Sequence, residues 1–445
     1  MSIGRYARVV VLHGTFDEFT RSLAALAGPG IDVGVVQVGV RDAIVRPHLL
    51  RLLRSRNPGH AESTLLKEAG AHEVAFLDED EVAVLLRHRV ESDLEPRVAE
   101  PVPAEAGGPS WYLHEKGINI EPAWSKAGGA GGASAIDWQG IRVGQLDTGY
   151  TRHRALGHGQ PGGSWIAAAE CRTIMASDLP PEMEPPVPQP NDGIDPMPGA
   201  GLFGGHGTRI GATISGHVGG PDDGSVFRGA APRVPHVVVR ITDSVAINNR
   251  QFEFAEGLRY LVDVAKVDVV NVSLGVFPPV ASPAMKEAVA WAHSRGVIVV
   301  CAAGNHLDPV VQPARLAQTI AVAGVTWESL PWHGSAYGRQ VDFSAPAADV
   351  QRPLAVRTGT GTGFDEEGNG TSYAAALTTG SAALWLRCWA PQIEARYGRT
   401  GARVEAFRKA ARATVRTPDG WQPGSFGAGI LNTGRLCTEE ALALP

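Results

Sequence analysis

Residues 369–376, NGTSYAAA, set Ser372 between a glycine-rich approach and an apolar, helix-like run that continues through Trp389. A hydroxyl there lies among free backbone N–H groups at the positive end of a helix dipole, where developing negative charge is favoured. A serine is a weak nucleophile until a neighbouring base activates it, and the base in turn needs an orienting group. Two upstream stretches offer both. Residues 141–149, IRVGQLDTG, read as a buried strand ending in Asp147 and a turn, and α/β sheets place their sites at strand C-termini. Residues 204–210, GGHGTRI, set His206 among glycines that leave room for close approach. Each residue also has an ordinary structural reading: a turn carboxylate, a packing or surface histidine, and a helix N-cap. In combination they are an acid, a base and a nucleophile in the order Asp, His, Ser, separated by 59 and 166 residues, an order known for one class of serine-dependent acyl transfer.

These side chains need elements to carry them. From Trp111 onward, short and nearly continuous apolar runs recur at residues 141–146, 236–241, 267–273, 296–303 and 319–325. Such runs read as strands buried on both faces of a parallel sheet. Between them, Ala255, Leu258, Val262 and Ala265 mark one amphipathic helix, and Ala284, Ala288, Trp291 and Ala292 fit another. The alternation predicts an α/β fold with a doubly wound, mostly parallel sheet. Residues 179–198 are too rich in proline for a regular element and read as a surface excursion. Before this region, residues 6–13, 32–39 and 72–77 read as strands, with helical patterns at 16–26, 49–53 and 63–69. The predicted organisation is a small N-terminal α+β domain over 1–98, a Pro/Gly/Ala linker over 99–110, and the main domain over 111–445.

With these blocks in view, the chain resembles the subtilisin-like serine proteases, the subtilases, over about residues 111–435. The resemblance rests on LDTG around Asp147, GGHGTRIGATISG around His206 and GNGTSYAAA around Ser372. A fourth block, CAAGN at 301–305, is similar to the family's oxyanion segment; weaker matches are VNVSLG at 270–275, RGAAP at 228–232 and SAYGRQVDFSAP at 335–346. It implies a catalytic triad of Asp147, His206 and Ser372, with the Asn305 amide as oxyanion donor. It also implies a pocket for the residue before the cut, walled by Ser273, Leu274 and Gly275 on one side and Ala302, Ala303 and Gly304 on the other. An extended peptide is expected to pair with those backbone edges as an added strand. Val276 stands where the family often has a second glycine, and either narrows the pocket mouth or only packs. Tyr373 replaces the usual Met and Ala376 the usual Pro; neither removes a catalytic group.

The N-terminal unit resembles a subtilase propeptide, which implies self-processing within residues 91–109 or a retained role as intramolecular inhibitor. The substrate class expected is polypeptide. Two further readings stand beside hydrolysis: a transamidase or peptide macrocyclase on the same fold, and a non-catalytic peptide-binding scaffold. The 445 residues carry a net charge of −6 with no long run of one sign, which argues against nucleic acid as a partner. No apolar stretch is long enough for a membrane span. The four cysteines are scattered without metal-ligand spacing and read as free thiols. Many subtilases bind Ca²⁺, but Asp192, Asp195, Asp222 and Asp223 fit no ligand pattern and read as solvated loop acids; no metal or cofactor is expected. No secretory apolar region is visible near Met1, so cytoplasm is the expected compartment, with non-classical export left open.

Overall fold

The computed structural model describes residues 6–10, 16–27, 35–37, 42–45, 47–71, 73–77, 102–174, 192–196, 204–219, 227–277, 279–307, 309–356 and 358–444. Most of the 179–198 excursion, Asp222, Asp223 and most of the 91–109 stretch lie outside them. The chain forms two units, chiefly Met1–Pro96 on the one hand and Arg97–Asn305 with Pro309–Pro445 on the other.

In the first unit the elements run β1 (Tyr6–Val10), α1 (Phe16–Ala27), β2 (Val35–Gln37), β3 (Asp42–Val45), α2 (Pro47–Arg56), α3 (Glu62–Glu68) and β4 (Glu73–Leu77). The sheet is antiparallel, in the order β2-β3-β1-β4. Phe19 and Leu23, one turn apart on α1, are buried, as are Leu50 and Leu53 on α2 and Leu65 and Leu66 on α3. The helical spacing of apolar residues is thus the face each helix buries. β3 is a strand that the sequence pattern does not announce, because four residues are too few to show an alternation.

In the second unit the first α-helix is α4 (Glu121–Gly128), and the main sheet has seven strands among the described residues. They are β5 (Val143–Asp147), β6 (Arg172–Thr173), β9 (His236–Arg240), β10 (Val269–Val272), β11 (Ile298–Ala302), β12 (Ile320–Val325) and β13 (Phe343–Pro346). Every pairing is parallel and the order is β13-β12-β11-β10-β5-β9-β6. The five apolar runs of the sequence are the five inner strands of this order. The edge strands β6 and β13 escape the pattern because they are short and carry polar residues or proline. Helices α5 (His206–Ser215) and α8 (Thr371–Cys388) cover one face, against Val143, Ile298, Val300, Ile320 and Val322. Helices α6 (Gln251–Asp263) and α7 (Pro283–Ser294) cover the other, against Leu146, Val239, Val270, Val272 and Val299. Among the described residues the unit also holds two small antiparallel ribbons, β7 (His217–Val218) with β8 (Phe227–Arg228) and β14 (Val350–Pro353) with β15 (Phe364–Gly368).

The winding reverses at β5, so the crevice for a ligand opens at the C-terminal end of that strand. α8 runs through the core: residues 371–386 are all buried. Its alanines and glycine let it lie close to its neighbours, and a Cβ on Gly380 would come within 2.5 Å of the Ala230 Cβ. All four cysteines are free thiols. Among the described residues no helix is long and apolar enough to cross a membrane.

Three histidines are buried in this unit. His236 is fully buried, and burial pushes its pKa down to about 3 against the upward pull of the nearby Asp147 charge. Burial also pushes His153 and His217 down to about 4. The fold therefore holds all three rings neutral. The stability they contribute is complete above about pH 6.5 and is lost as the pH falls toward about 3 to 4. The denaturant midpoint of a Ser372→Ala variant is expected to drop between about pH 7 and about pH 4.5, and to drop less when His236→Asn is added. Identical slopes with and without His236→Asn would contradict this.

Candidate active site

Asp147 is the last residue of β5 and is fully buried. A buried carboxylate is tolerated only when donors surround it. Its Oδ1 accepts from the Thr148 N–H at 2.7 Å and from His206 Nδ1 at 2.7 Å. Its Oδ2 accepts from Gln145 Nε2 at 3.0 Å, and the same amide donates to the Gly207 carbonyl at 3.0 Å. Gln145, two residues earlier on the same face of β5, thus ties the carboxylate to the helix that carries His206.

His206 opens α5, preceded by Gly205 at φ +74°. The helix can sit this close to the turn after β5 only because residue 207 is glycine: a Cβ there would lie 1.9 Å from the Gly149 carbonyl oxygen. The Gly207 N–H instead donates to Thr148 Oγ1 at 3.1 Å. Asp195 fixes the same corner. It is 4% exposed, and its Oδ2 accepts from the Gly205 N–H at 2.7 Å and from Thr148 Oγ1 at 3.4 Å. The expectation of a solvated loop acid is therefore corrected at Asp195, whose charge is used inside the fold. Asp192 lies on the loop, where its Oδ1 accepts from the Ile194 N–H at 3.0 Å. Among the described residues no group of three or more His, Cys, Asp or Glu side chains could hold a metal ion.

A carboxylate only accepts, so Nδ1 of His206 carries the proton and Nε2 presents a lone pair. That lone pair faces Ser372 Oγ at 3.3 Å. Ser372 is the second residue of α8, and the N-cap position belongs to Gly370 at φ +143°. The capping alternative for Ser372 is thereby excluded. The Ser372 carbonyl accepts from Ser273 Oγ at 3.1 Å, and Ser273 accepts from Asn271 Nδ2 at 3.0 Å.

Asn305 follows the end of β11. Its Oδ1 accepts from the Thr371 N–H at 2.9 Å and from Thr371 Oγ1 at 2.8 Å. Both bonds fall on the carbonyl side, so the amide Nδ2 points the other way, with its donors unspent on Thr371. A Cβ on Gly370 would come within 3.1 Å of that nitrogen. One residue type at 370 thus keeps the amide clear beside the start of α8. The arrangement can pass a proton from hydroxyl to imidazole and offer an amide donor and a helix N-terminus to a developing oxyanion.

The predicted pocket walls extend from adjacent strands: 273–275 follow β10, and 302–304 run off the end of β11. At one of these residues the backbone edge is already paired. The Gly275 N–H already donates to the Val245 carbonyl at 2.8 Å, and its carbonyl accepts from the Ile247 N–H at 2.9 Å. An added strand therefore has no free partner at Gly275 while residues 245–247 stay in place. Val276 is fully buried within the α7-side core, so it packs rather than narrows the mouth. Gln145, Asp195 and Thr371 are site residues that sequence reasoning passed over. Gln145 alone carried a signal, as a polar residue inside an apolar strand.

A hydrogen bond to a charged group contributes about 1.5–3 kcal/mol. Gln145→Leu is therefore expected to slow fluorophosphonate labelling of Ser372 by roughly tenfold or more. Labelling at the wild-type rate would remove Gln145 from the working site.

Residues 139–423 match the model of the subtilase family. An extracellular protease of Xanthomonas campestris is 27% identical over 451 aligned residues, covering 94% of this chain and 68% of that protein. The major intracellular serine protease of Bacillus subtilis is 31% identical over 158 residues, covering 34% of this chain and 47% of it. Against that relative, then, the match spans about half of the relative's length. Among solved structures, a protease of Pseudoalteromonas arctica superposes with a TM-score of 0.57 at 21% identity, covering 74% of this chain and 96% of the other, a likeness of fold. Since the family match takes in more than half of its residues, this chain belongs to the subtilase family, the subtilisin-like serine endopeptidases.

Proposed function

We propose that the protein cleaves extended polypeptides through Asp147, His206 and Ser372. The observation that carries the reading is the continuous relay from a buried carboxylate to a hydroxyl at a helix N-terminus, at 2.7 Å and 3.3 Å. Ser372 Oγ attacks the peptide carbonyl carbon, and His206 Nε2 accepts the hydroxyl proton as the C–O bond forms. Asp147 holds the ring in the required tautomer and stabilises the imidazolium. The oxyanion is held by Asn305 Nδ2 and the Ser372 N–H. His206 then gives its proton to the leaving amine as the C–N bond breaks. Water attacks the acyl-enzyme by the same route and frees Ser372.

The N-terminal unit fits the role of an intramolecular assistant or inhibitor. What supports this is a compact α+β unit with its own buried side chains, preceding a Pro/Gly/Ala-rich stretch. Self-processing within residues 91–109 is part of the proposal.

Ser372→Ala is expected to abolish both peptide cleavage and fluorophosphonate labelling. Asn305→Ala is expected to lower kcat by about 10²–10³ with KM changed little, a magnitude borrowed from subtilisin itself. Retention of labelling in Ser372→Ala would end the reading. Intact mass then tests the N-terminal unit: wild type should lose the chain up to the 91–109 stretch while Ser372→Ala stays full length, and equal full-length masses would contradict self-processing. Mass spectrometry of peptide products distinguishes the chemistry, since hydrolysis adds one water and transfer to an internal amine adds none.

A further inference from the structure

Gly275 and Gly304 stand on the two opposite walls of the proposed pocket, and one side chain touches both. A Cβ built on Gly275 would come within 2.7 Å of Val311 Cγ2, and one built on Gly304 within 2.8 Å of Val311 Cγ1. Cγ2 is thus the methyl nearer the Gly275 wall and Cγ1 the one nearer the Gly304 wall. The side chain is held there. The Val311 N–H donates to the Ala303 carbonyl at 2.9 Å, and the next residue, Gln312, exchanges hydrogen bonds of 2.8 and 3.3 Å with Val276. Ala336 closes the same corner: its N–H donates to the Gly304 carbonyl at 2.9 Å, and its Cβ lies 3.4 Å from the Cβ position built on Gly304. A β-branched side chain is stiff at χ1, and Val311 is only 4% exposed, so it has no second place to go.

We infer that Val311 fills the space between the two walls and limits the residue before the cut to a small side chain: glycine, alanine or serine. The inference rests on the protease reading and deepens it. Carbon atoms pack at about 3.5–4.0 Å, so an aromatic ring and the Val311 isopropyl group cannot occupy the same gap. Val276, the position the sequence singled out, faces the core and leaves this role to Val311.

The test is kcat/KM on succinyl-Ala-Ala-Pro-X-p-nitroanilides with X as Ala, Leu or Phe, for wild type, Val311→Ala and the isosteric Val311→Thr. One methylene too many or too few in an apolar pocket is worth about 10–200-fold. Wild type is therefore expected to favour Ala over Phe by about tenfold or more. Val311→Ala should raise the Leu and Phe values relative to Ala by a similar factor, and Val311→Thr should keep the wild-type order. An active wild type that takes Phe as readily as Ala overturns the inference whether or not the variants fold. So does a folded Val311→Ala with an unchanged profile. If wild type cleaves nothing and its Ser372 takes no fluorophosphonate, the protease reading falls and Val311's role falls with it.

Discussion

One carboxylate, that of Asp147, is taken wholly out of solvent, and the rest of the site is arranged to make that tolerable. Burying an uncompensated charge costs several kcal/mol even after relaxation. Here three donors, from the turn after β5, from β5 itself and from the first residue of α5, meet its two oxygens. To deliver them, α5 has to start directly above the turn, which leaves no room for a side chain at Gly207. The buried Asp195 holds the approach to α5 in turn, through the Gly205 N–H. Packing and electrostatics are a single constraint here: helix position and carboxylate solvation cannot be changed separately.

The other half of the site comes from α8, whose burial from residue 371 to residue 386 makes it a rigid stem rather than a surface helix. Its N-terminus carries the hydroxyl, and Thr371 anchors the Asn305 amide beside it through two hydrogen bonds. On the sheet side, Thr379 donates to Asn271 at 3.1 Å, and Asn271 reaches Ser273, which holds the Ser372 carbonyl. The start of the helix that carries the nucleophile is thus held by two separate polar groups, one at Thr371 and one at the Ser372 carbonyl. Preorganised groups of this kind favour a charged transition state because little has to reorient during reaction.

Much of this was legible in the chain itself. Strands buried on both faces must be apolar throughout, so the five inner strands stand out as runs, and glycine-flanked Asp147, His206 and Ser372 stand out as chemistry. What escaped was either short or non-local. β3, β6 and β13 are too brief or too polar to show a pattern. Asp195 reads as a loop acid because its partners are fixed only when the 192–196 segment folds beside Thr148 and Gly205. Val276 and Val311 cannot be ranked from sequence, because which valine faces the gap between Gly275 and Gly304 depends on how 309–313 return past the end of β11. Gly275 looked open to a peptide for the same reason: the pairing of 245–247 with it joins segments far apart in the chain.

The most direct test is a crystal structure of the protein after reaction with a peptidyl phosphonate. The account requires phosphorus bonded to Ser372 Oγ, with one phosphoryl oxygen at about 2.7–3.1 Å from both Asn305 Nδ2 and the Ser372 N–H. An adduct at another residue, or a phosphoryl oxygen turned away from both donors, would contradict it.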